Sequence, residues 1–432
     1  NGLQGIELTF DDELMGRNGS IETNQSAKGT TLKDQQNEYL NSSQNGDDVV
    51  LTIDETIQHF LEKHLEEAVT ENKLKEGAAG IIMNPKTGEI LAMATKPDFD
   101  VNNPYDIDQF EKYAIDLGYD TSDDTSDDPD ATPKPTEDPN NLSDEAIAKI
   151  RNKMWRNKVI SDTYEPGSVF KMVTATAALE LGVVSLSDMY TCGGSTTVAD
   201  RRIRCHKTTG HGTQTFTQTV MNSCNPAFIE WGRRVGVDNF YTYIDKLGLT
   251  SKTGIDIAGE AGTIIHKKEN VGEVELATMS FGQSFQITPM QMLRAAAAIV
   301  NGGNLVTPHF AIRTCAADKT TYSEFSYSTT QEAVSKETSD TMKDILRQVV
   351  EEGGGKNAYI EGFSIGGKTA TSQKLPRGSG KYIASFIGFS DVTDPSVIAM
   401  CLIDEPQGVY YGGTIAAPVI RELYDNILPY MD

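Results

Sequence analysis

The chain has 432 residues, 38% hydrophobic and 23% charged, a composition typical of a soluble globular protein and unlike that of a fibrous or wholly disordered one. Its formal net charge is −24, from 38 Lys and Arg against 62 Asp and Glu. So acidic a surface disfavours nucleic acid as a partner, because phosphate backbones require a basic face. The sequence also has no run of about 18 apolar residues, the length that a membrane-spanning helix needs.

The first elements in chain order divide the chain into an arm and a larger domain. Residues 1–46 are polar and predict an extended N-terminal arm or part of a small accessory domain. Residues 47–432 predict one larger domain. Asp54 is a candidate N-cap for a helix to about Val69, since apolar residues follow at helical spacing. Strands are predicted at 78–83 and 90–94, joined as a hairpin through the turn Asn84-Pro85-Lys86-Thr87-Gly88.

An acidic insertion interrupts this pattern at residues 116–145, where eleven Asp and Glu accompany one Lys and four prolines. Such a segment cannot bury enough apolar surface to order itself, so we interpret it as a solvated loop. Further on, Thr288 to Gln291 forms a capping box that opens a helix. Strands follow at 382–389 and 397–403, and a last helix at 416–428. The predicted helices and strands do not follow one another in a repeated βαβ order. Their order therefore favours an α+β fold with an antiparallel sheet.

The segment Ser168-Val169-Phe170-Lys171 is an S-x-x-K motif preceded by Pro-Gly, which predicts a turn into a helix. Residues three apart share a helix face, so the hydroxyl and the amine would face each other. A serine needs a nearby base to become nucleophilic, and a lysine whose pKa is lowered by burial is such a base. Alone, however, the motif is common by chance.

Two further short motifs follow the S-x-x-K motif. Ser223-Cys224-Asn225 is S-x-N, in which the serine can relay a proton and the amide can hold a carbonyl; it also reads as an ordinary helix N-cap. Lys368-Thr369-Ala370-Thr371 precedes a strand and offers a cation, hydroxyls and a backbone N–H for an oxyanion. A competing match, Lys252-Thr253-Gly254, lies in a Gly-rich turn and is interpreted as structural.

The order S-x-x-K, S-x-N, K-T-small resembles that of the penicillin-binding proteins and serine β-lactamases. The chain is most similar to a class B penicillin-binding protein, a monofunctional peptidoglycan D,D-transpeptidase of the division or sporulation type. The likeness covers roughly residues 46–432, and the arm resembles a remnant of the family's pedestal domain. It rests on further segments: 164–168, 222–228, 282–283, 287–291 and 247–257. It implies the transpeptidase fold, an antiparallel sheet flanked by helices.

The resemblance also implies a mechanism. Ser168 attacks the carbonyl of the penultimate D-Ala of a donor stem peptide, and the acyl group passes to an amine of a neighbouring stem. Lys171 takes the Ser168 proton, while Ser223, with Lys171 and Lys368, relays it to the leaving nitrogen. Asn225 holds the peptide. β-Lactams would mimic the D-Ala-D-Ala end and acylate Ser168.

Substrate binding is implied for Thr369, Ala370 and Thr371. The two threonine hydroxyls bind the terminal carboxylate, and the N–H groups of Ser168 and Thr371 form the oxyanion hole. Ala370 is a departure, because the third motif usually ends in glycine. We expect the methyl group to crowd the substrate face slightly, so that activity survives with altered β-lactam affinity.

A metal site is predicted from Cys192, Cys205, His211 and Cys224, because three thiolates and one imidazole suit tetrahedral zinc. The spacing is not that of a standard zinc finger, and buried free thiols remain the alternative. Some class B members resemble this region and carry zinc near the S-x-N loop. The implied metal is structural, with His206 as a spare ligand and no organic cofactor. Cys315 and Cys401 are interpreted as ordinary thiols.

Two alternatives remain: a β-lactamase or β-lactam sensor of the same superfamily, and a catalytically silent divisome scaffold. Glu165 is interpreted as a turn residue, and His59, His266 and His309 receive no role. The resemblance implies an extracytoplasmic domain anchored by a lost N-terminal transmembrane helix. Implied partners are stem peptides of lipid II-derived glycan, β-lactams, a glycan polymerase and division or sporulation proteins. Septation, elongation and sporulation roles stay open, as does the acceptor amine.

Overall fold

The structure is a computed structural model and describes residues 2–22, 39–106 and 143–431. Most of the predicted acidic insertion lies outside the described residues. Its last three residues are described, and there Ser143 caps a helix by accepting a hydrogen bond from the Ala146 N–H.

Strands and helices alternate along the described residues. The strands are β1 (Ser20–Glu22), β2 (Tyr39–Asn41), β3 (Asp48–Leu51), β4 (Gly77–Met83), β5 (Ile90–Lys96), β6 (Met189–Cys192), β7 (Ser195–Val198), β8 (Arg201–Arg204), β9 (Gly212–Thr215), β10 (Leu305–Val306), β11 (Ala311–Cys315), β12 (Tyr322–Glu324), β13 (Thr329–Thr330), β14 (Ile365–Gln373), β15 (Tyr382–Ser390) and β16 (Val397–Asp404). The α-helices are α1 (Gly5–Thr9), α2 (Asp11–Leu14), α3 (Glu55–Glu71), α4 (Asp144–Met154), α5 (Lys158–Ser161), α6 (Lys171–Glu180), α7 (Phe216–Met221), α8 (Asn225–Val235), α9 (Val237–Lys246), α10 (Glu273–Met279), α11 (Pro289–Val300), α12 (Lys336–Glu351), α13 (Gly412–Ile415) and α14 (Ala417–Met431). Short 3₁₀ helices lie at Gly167–Phe170, Lys268–Asn270 and Lys356–Ala358.

A smaller compact unit draws on three stretches of the chain: the described part of Asn1–Thr52, with Ile255–Ala258 and His309–Tyr327. Its sheet has the order β12-β11-β3 and is antiparallel. The Asp256 carboxylate accepts hydrogen bonds from the Phe310 and Ala311 N–H groups and from the Tyr327 hydroxyl. This carboxylate therefore joins two of the three stretches, Ile255–Ala258 and His309–Tyr327. The predicted domain boundary between residues 46 and 47 stays a prediction.

The larger unit is built on a five-stranded antiparallel sheet of order β14-β15-β16-β4-β5. The predicted hairpin is β4 and β5, and the two strands predicted near the C-terminus are β15 and β16. Strand β14, which carries the third motif, lies at one edge of the sheet. An edge strand has one side free of ladder partners, so it can face a cleft.

Two helices from distant parts of the chain cover one face of this sheet. Helix α3 begins as predicted, because the Asp54 carboxylate accepts hydrogen bonds from the Thr56 and Ile57 N–H groups. Its Leu61 and Leu65 are fully buried together with residues of α14. The Tyr424 hydroxyl donates to the Gly388 carbonyl at 2.7 Å, which fastens α14 to the sheet.

Helix α11 is buried along its whole length. It begins as predicted with Thr288 in a capping box with Gln291 and with proline at the first helical position. Helix α6 is buried from Lys171 to Ala178 and packs near α11. Because α6 is held on all sides, the residue that starts it is held in a fixed place.

The predicted α+β class with an antiparallel sheet is confirmed. Among the described residues, no helix has both the length and the apolar character needed to cross a bilayer.

Candidate active site

The turn before α6 presents Ser168 in a 3₁₀ helix, Gly167–Phe170, and α6 continues from Lys171. Gly167 has a φ of +57°, and a Cβ atom there would lie 2.3 Å from the Ser372 Oγ. The Gly167 N–H also donates to the Gly282 carbonyl at 2.8 Å. Glycine is therefore required, because it allows strand β14 to approach the turn that carries Ser168.

Lys171 brings the first two motifs together. Its side chain is fully buried. Its Nζ lies 3.0 Å from the Ser168 Oγ, 3.1 Å from the Ser223 Oγ and 2.7 Å from both the Ser223 carbonyl and the Asn225 Oδ1. The amine also lies 5.4 Å from the centre of the Phe228 ring. The S-x-x-K and S-x-N motifs thus converge on one amine.

Burial lowers the pKa of Lys171 to about 7, and the charges of Cys224 and Cys205 partly oppose that shift. A charged ammonium loses its hydration in such a place, so the neutral form is favoured. A neutral amine at hydrogen-bond distance from a hydroxyl can act as a general base near neutral pH.

Acylation of Ser168 by a penicillin is expected to depend on pH with the sign set by Lys171. Below about pH 7 the amine is protonated, so the rate is expected to fall about tenfold per pH unit. Above the pKa of Lys171 the rate should level off. Stopped-flow measurement with a chromogenic β-lactam checks this, with circular dichroism at each pH as a control for folding. A flat profile across that pKa would contradict the assignment.

The S-x-N loop is held in an unusual backbone conformation. Ser223 has a φ of +49°, which is uncommon for a residue with a side chain. Cys224 is the N-cap of α8, and Asn225 is its first residue. The Asn225 Nδ2 donates to the Arg204 carbonyl at 3.4 Å. The conformation turns both the carbonyl and the hydroxyl of Ser223 toward Lys171.

Lys368 on β14 is a second buried amine, 1% exposed. Its Nζ donates to the Thr369 carbonyl at 3.2 Å. Burial lowers its pKa well below the ordinary value, and the charge of Lys171 lowers it further. The two amines therefore share one poorly hydrated environment, in which a negative ligand would be stabilised.

The threonines of the third motif alternate with Lys368 along β14. Thr369 and Thr371 are partly exposed, whereas Lys368 and Ala370 are buried. The Thr371 hydroxyl accepts a hydrogen bond from the Gly412 N–H at 3.0 Å. Its own proton thus remains available for an acceptor such as a carboxylate.

The methyl group of Ala370 is 4% exposed, and residue 370 pairs with Ser385 of β15. Strand alternation puts the methyl on the face of β14 that carries Lys368. We expect Ala370→Gly to preserve acylation and to change the second-order rate constants for different β-lactams unequally. A panel of penicillins and cephalosporins measures this, and unchanged rates for every compound would show that the methyl is irrelevant.

The four predicted metal ligands meet at one point. Cys192 ends β6, Cys205 follows β8, His211 precedes β9, and Cys224 starts α8. Their ligand atoms all lie within 4.8 Å of one another, and the Cys205 Sγ is 3.6 Å from the His211 Nδ1. The spare candidate, His206, has its Nδ1 3.9 Å from the same sulfur.

Two thiols of this cluster, Cys205 and Cys224, contact each other. A hydrogen bond with Cys224 lowers the pKa of the Cys205 thiol, and the same contact raises the pKa of Cys224. Burial lowers the pKa of His211, which favours its neutral, ligating form. The cluster shares Cys224 with the S-x-N motif, so its geometry bears directly on Ser223 and Asn225.

The sequence analysis missed a positioning role for Glu165. This carboxylate is 8% exposed, accepts a hydrogen bond from the Ser284 N–H at 2.9 Å and forms an ion pair with Arg377. It thereby ties the turn before Ser168 to the loop that follows β14. Its place beside the S-x-x-K motif was a usable signal, but nothing in the sequence identifies Arg377 as the partner.

The competing match to the third motif, Lys252-Thr253-Gly254, lies in a turn that uses its polar groups. Thr253 is buried, and both its N–H and its hydroxyl donate to the Glu260 carboxylate at 2.6 Å. Its polar groups are already used within a turn, as the sequence predicted.

Comparison with known proteins decides the family. Residues 78–425 match the family described as penicillin binding protein transpeptidase domain. The chain belongs to the penicillin-binding protein transpeptidase family. Stage V sporulation protein D of Bacillus subtilis is 37% identical over 99% of this chain and 60% of its own length. The probable peptidoglycan D,D-transpeptidase PenA of Neisseria gonorrhoeae is 26% identical over 99% of this chain and 64% of its own length.

Solved structures agree with the fold of a penicillin-binding protein. Penicillin binding protein 3 of Mycobacterium tuberculosis in its apo form has a TM-score of 0.78 at 24% identity, covering 100% of this chain and 86% of that one. The same protein complexed with aztreonam has a TM-score of 0.77. The predicted resemblance to class B penicillin-binding proteins is confirmed. This chain spans 60% of the length of the B. subtilis relative.

Proposed function

We propose that the chain is a serine D,D-transpeptidase domain that cross-links peptidoglycan stem peptides and is acylated by β-lactams. The observation that carries the proposal is the Lys171 amine, which lies 3.0 Å from the Ser168 hydroxyl and also contacts Ser223 and Asn225. A buried lysine of lowered pKa beside a serine is the arrangement that an activated nucleophile needs. The names of two relatives, peptidoglycan D,D-transpeptidase, support the same reaction class.

In the proposed reaction Lys171 accepts the Ser168 proton as Ser168 attacks the carbonyl of the penultimate D-Ala. The Ser168 Oγ–carbonyl bond forms, the D-Ala–D-Ala peptide bond breaks, and the proton passes through Ser223 to the departing D-Ala nitrogen. An amine of a neighbouring stem then attacks the acyl carbonyl: the new amide bond forms, the Ser168 Oγ–acyl bond breaks, and the proton of the amine returns to the Ser168 oxygen. The hydrogen bond that the Lys171 Nζ donates to the Ser223 hydroxyl, at 3.1 Å, supports this relay.

The leaving residue carries a carboxylate, for which Thr369, Thr371 and the Lys368 amine are the proposed binding groups. The Thr371 hydroxyl has a free proton to donate because it already accepts from Gly412. The N–H groups of Ser168 and Thr371 are the proposed oxyanion hole. Asn225 is proposed to hold the peptide, and a β-lactam carboxylate would use the same threonines.

The experiment is labelling of the purified protein with a fluorescent penicillin, followed by mass spectrometry of the adduct. We expect one penicilloyl group per chain, on the peptide that contains Ser168, with slow hydrolysis. Rapid turnover of the adduct would indicate a β-lactamase. Absence of any adduct on folded protein would indicate a silent scaffold, and either result would overturn the proposal. Formation of cross-linked product from stem peptides tests the transfer step.

A structural zinc is the proposed occupant of the Cys192, Cys205, His211 and Cys224 cluster. In a tetrahedral zinc site, bond lengths of about 2.3 Å to sulfur and about 2.0–2.1 Å to nitrogen make the sulfur–nitrogen edge about 3.5–3.6 Å. The observed separation of Cys205 Sγ and His211 Nδ1, 3.6 Å, lies in that range. The residues therefore fit the metal. Zinc bound there supplies no chemistry at Ser168; these ligands would hold Cys224, and with it Ser223 and Asn225.

Removal of zinc is expected to slow the acylation of Ser168, although the Ser168 side chain itself is unchanged. Elemental analysis should find one zinc per chain in protein purified without chelator. Cys192→Ser should lose the metal and slow penicillin acylation about tenfold to a hundredfold, because the S-x-N side chains lose their position. Cys315→Ser is the matched control, since Cys315 lies outside the cluster, and should retain zinc and activity. Wild-type protein without zinc would contradict the assignment.

The cellular setting is proposed from the relatives. We infer an extracytoplasmic domain joined to a membrane anchor, which acts with a glycan polymerase on lipid II-derived strands. The name Stage V sporulation protein D favours sporulation among the roles that the sequence leaves open. Co-purification of the full-length protein with a glycan polymerase from sporulating cells tests this setting.

A further inference from the structure

The segment 189–229 has a formal charge opposite in sign to that of the whole chain. It contains four Lys and Arg residues and one carboxylate, that of Asp200, so its formal charge is +3 in a chain of −24. A zinc ion with three thiolates would add −1 and leave +2. We call its four cations the basic cluster: Arg201, Arg202, Arg204 and Lys207. All four residues are exposed.

Three of these cations lie on β8, which pairs with β7 in an antiparallel hairpin. Side chains alternate along a strand, so Arg202 and Arg204 share one face, about 7 Å apart. The Arg202 Nε donates to the Ser195 Oγ at 3.0 Å. Among the described residues, the other guanidinium N–H groups of Arg202 and those of Arg204 have no hydrogen-bond acceptor. Two neighbouring guanidinium groups can therefore donate to a ligand.

No carboxylate of the described residues neutralises the basic cluster at short range. Helix α10 lies against β7, and helix α8 lies against β8. The carboxylates of these helices are on Glu273, Glu275 and Glu230, and the turn of the hairpin adds Asp200. In the described part of the chain, none of them comes within the 4.0 Å of an ion pair with the cluster. Glu230 instead pairs with Arg234 at 3.0 Å. The positive charge of the cluster is therefore available to an anion from outside.

The hairpin is joined directly to the S-x-N motif. The Arg204 carbonyl accepts a hydrogen bond from the Asn225 Nδ2 at 3.4 Å, and the Asn225 Oδ1 accepts one from the Lys171 Nζ at 2.7 Å. Cys205, the residue after Arg204, meets Cys224 of the same motif in the metal cluster. The base of the hairpin thus lies two hydrogen bonds from Lys171, a distance that about two or three extended peptide residues span. A peptide held beside Lys171 can therefore extend to the hairpin.

We propose that Arg202 and Arg204 bind a carboxylate of the peptidoglycan stem peptide, in addition to the terminal carboxylate assigned to the third motif. The identity of this ligand rests on the proposed function. Arginine pairs with carboxylates through two parallel hydrogen bonds. A chain of net charge −24 repels an anionic peptide, and a positive surface beside the site offsets that repulsion. A phosphodiester polymer would also be attracted, but the connection to the S-x-N motif favours the peptide.

The test is sedimentation of the whole chain with insoluble peptidoglycan sacculi that have been stripped of attached phosphate polymers. Every protein in the test carries Ser168→Ala, so the binding does not depend on the chemistry at Ser168. We expect saturable binding that weakens from about 20 mM to about 200 mM sodium chloride, because salt screens exposed charges. Sacculi whose carboxylates have been converted to amides with a carbodiimide and ammonia should bind at least about threefold more weakly.

Substitutions in the hairpin measure the contribution of the two arginines. Arg202→Gln/Arg204→Gln should raise the sacculus concentration for half-saturation about threefold to tenfold, because each exposed charge pair contributes modestly. Arg202→Gln alone should have an intermediate effect, and it leaves the residue whose carbonyl holds Asn225 unchanged. The control Arg233→Gln/Arg421→Gln removes the same charge from side chains that are 81% and 49% exposed, and should bind like the parent protein. Near-ultraviolet circular dichroism checks that each variant is folded.

The outcomes separate a specific carboxylate site from general attraction. Amidated sacculi should remove the difference between the parent protein and Arg202→Gln/Arg204→Gln, since no carboxylate remains to be recognised. Equal losses in the two double variants would show a general charge effect and overturn the proposal. Binding only to sacculi that retain phosphate polymers would also overturn it, because the ligand would then be a phosphodiester. A missing penicillin adduct on wild-type Ser168 overturns the proposed function alone, since the sedimentation result is obtained without that hydroxyl.

Discussion

Replacing Lys171 with methionine is expected to slow penicillin acylation by about 10² to 10⁴, the usual contribution of a general base. Methionine has a similar length, but it cannot accept the Ser168 proton. The site loses four contacts at once, since the same amine reaches Ser168, Asn225 and two atoms of Ser223. The measurement is the second-order rate constant with a chromogenic β-lactam, normalised to folded protein.

The control for this substitution is Lys336→Met on α12, a lysine that is 80% exposed and that pairs with Asp340 one turn further along the helix. It should leave the rate unchanged. Near-ultraviolet circular dichroism separates a lost base from a lost fold. If folded Lys171→Met protein acylates within a few-fold of wild type, the amine is not the base, and another group must accept the proton.

Replacing Lys368 with methionine is expected to slow acylation by anionic β-lactams about 10² to 10³, the range found when an electrostatic donor is removed from such a site. Burial and the charge of Lys171 lower the pKa of this amine, so a ligand carboxylate beside it favours the protonated form and gains a charged contact with it. We expect the loss to be smaller for a β-lactam whose carboxylate is esterified, because that compound never makes the charged contact.

Lys381→Met is the matched control, since Lys381 is 54% exposed and pairs with Glu405 instead. Equal losses for the free acid and its ester in Lys368→Met would show that charge recognition is not the role of this amine. A loss no greater than that of Lys381→Met would remove Lys368 from the site.

Local elements were predictable wherever one short segment determines its own structure. The Asp54 cap of α3 and the Thr288 capping box of α11 depend on residues within three positions, and both occur as predicted. The two short apolar runs and the Asn84–Gly88 turn between them likewise predicted the β4–β5 hairpin. The three short motifs predicted the candidate site, because their order is far more specific than any one of them.

Features that join distant segments were not predictable. The Glu165–Arg377 ion pair connects residues 212 positions apart, and no local sequence pattern predicts it. The positive φ of Ser223 follows from the surrounding packing, because serine has no intrinsic preference for that conformation. Ser168 was expected in the first turn of a helix, and that turn is 3₁₀ rather than α.

The burial of Lys368 has a consequence for how the protein tolerates change. Its ammonium has three donors, and the described residues give it one acceptor, the carbonyl of its own neighbour. A folded-state pKa below that of the unfolded chain means that folding releases a proton, so stability increases as the pH rises between those two values. Lys368→Met should therefore melt at a higher temperature than the wild type while working poorly. A screen for thermal stability without an activity assay would therefore select variants that have lost this amine. At position 368, thermal stability favours an apolar residue, whereas acylation activity requires lysine.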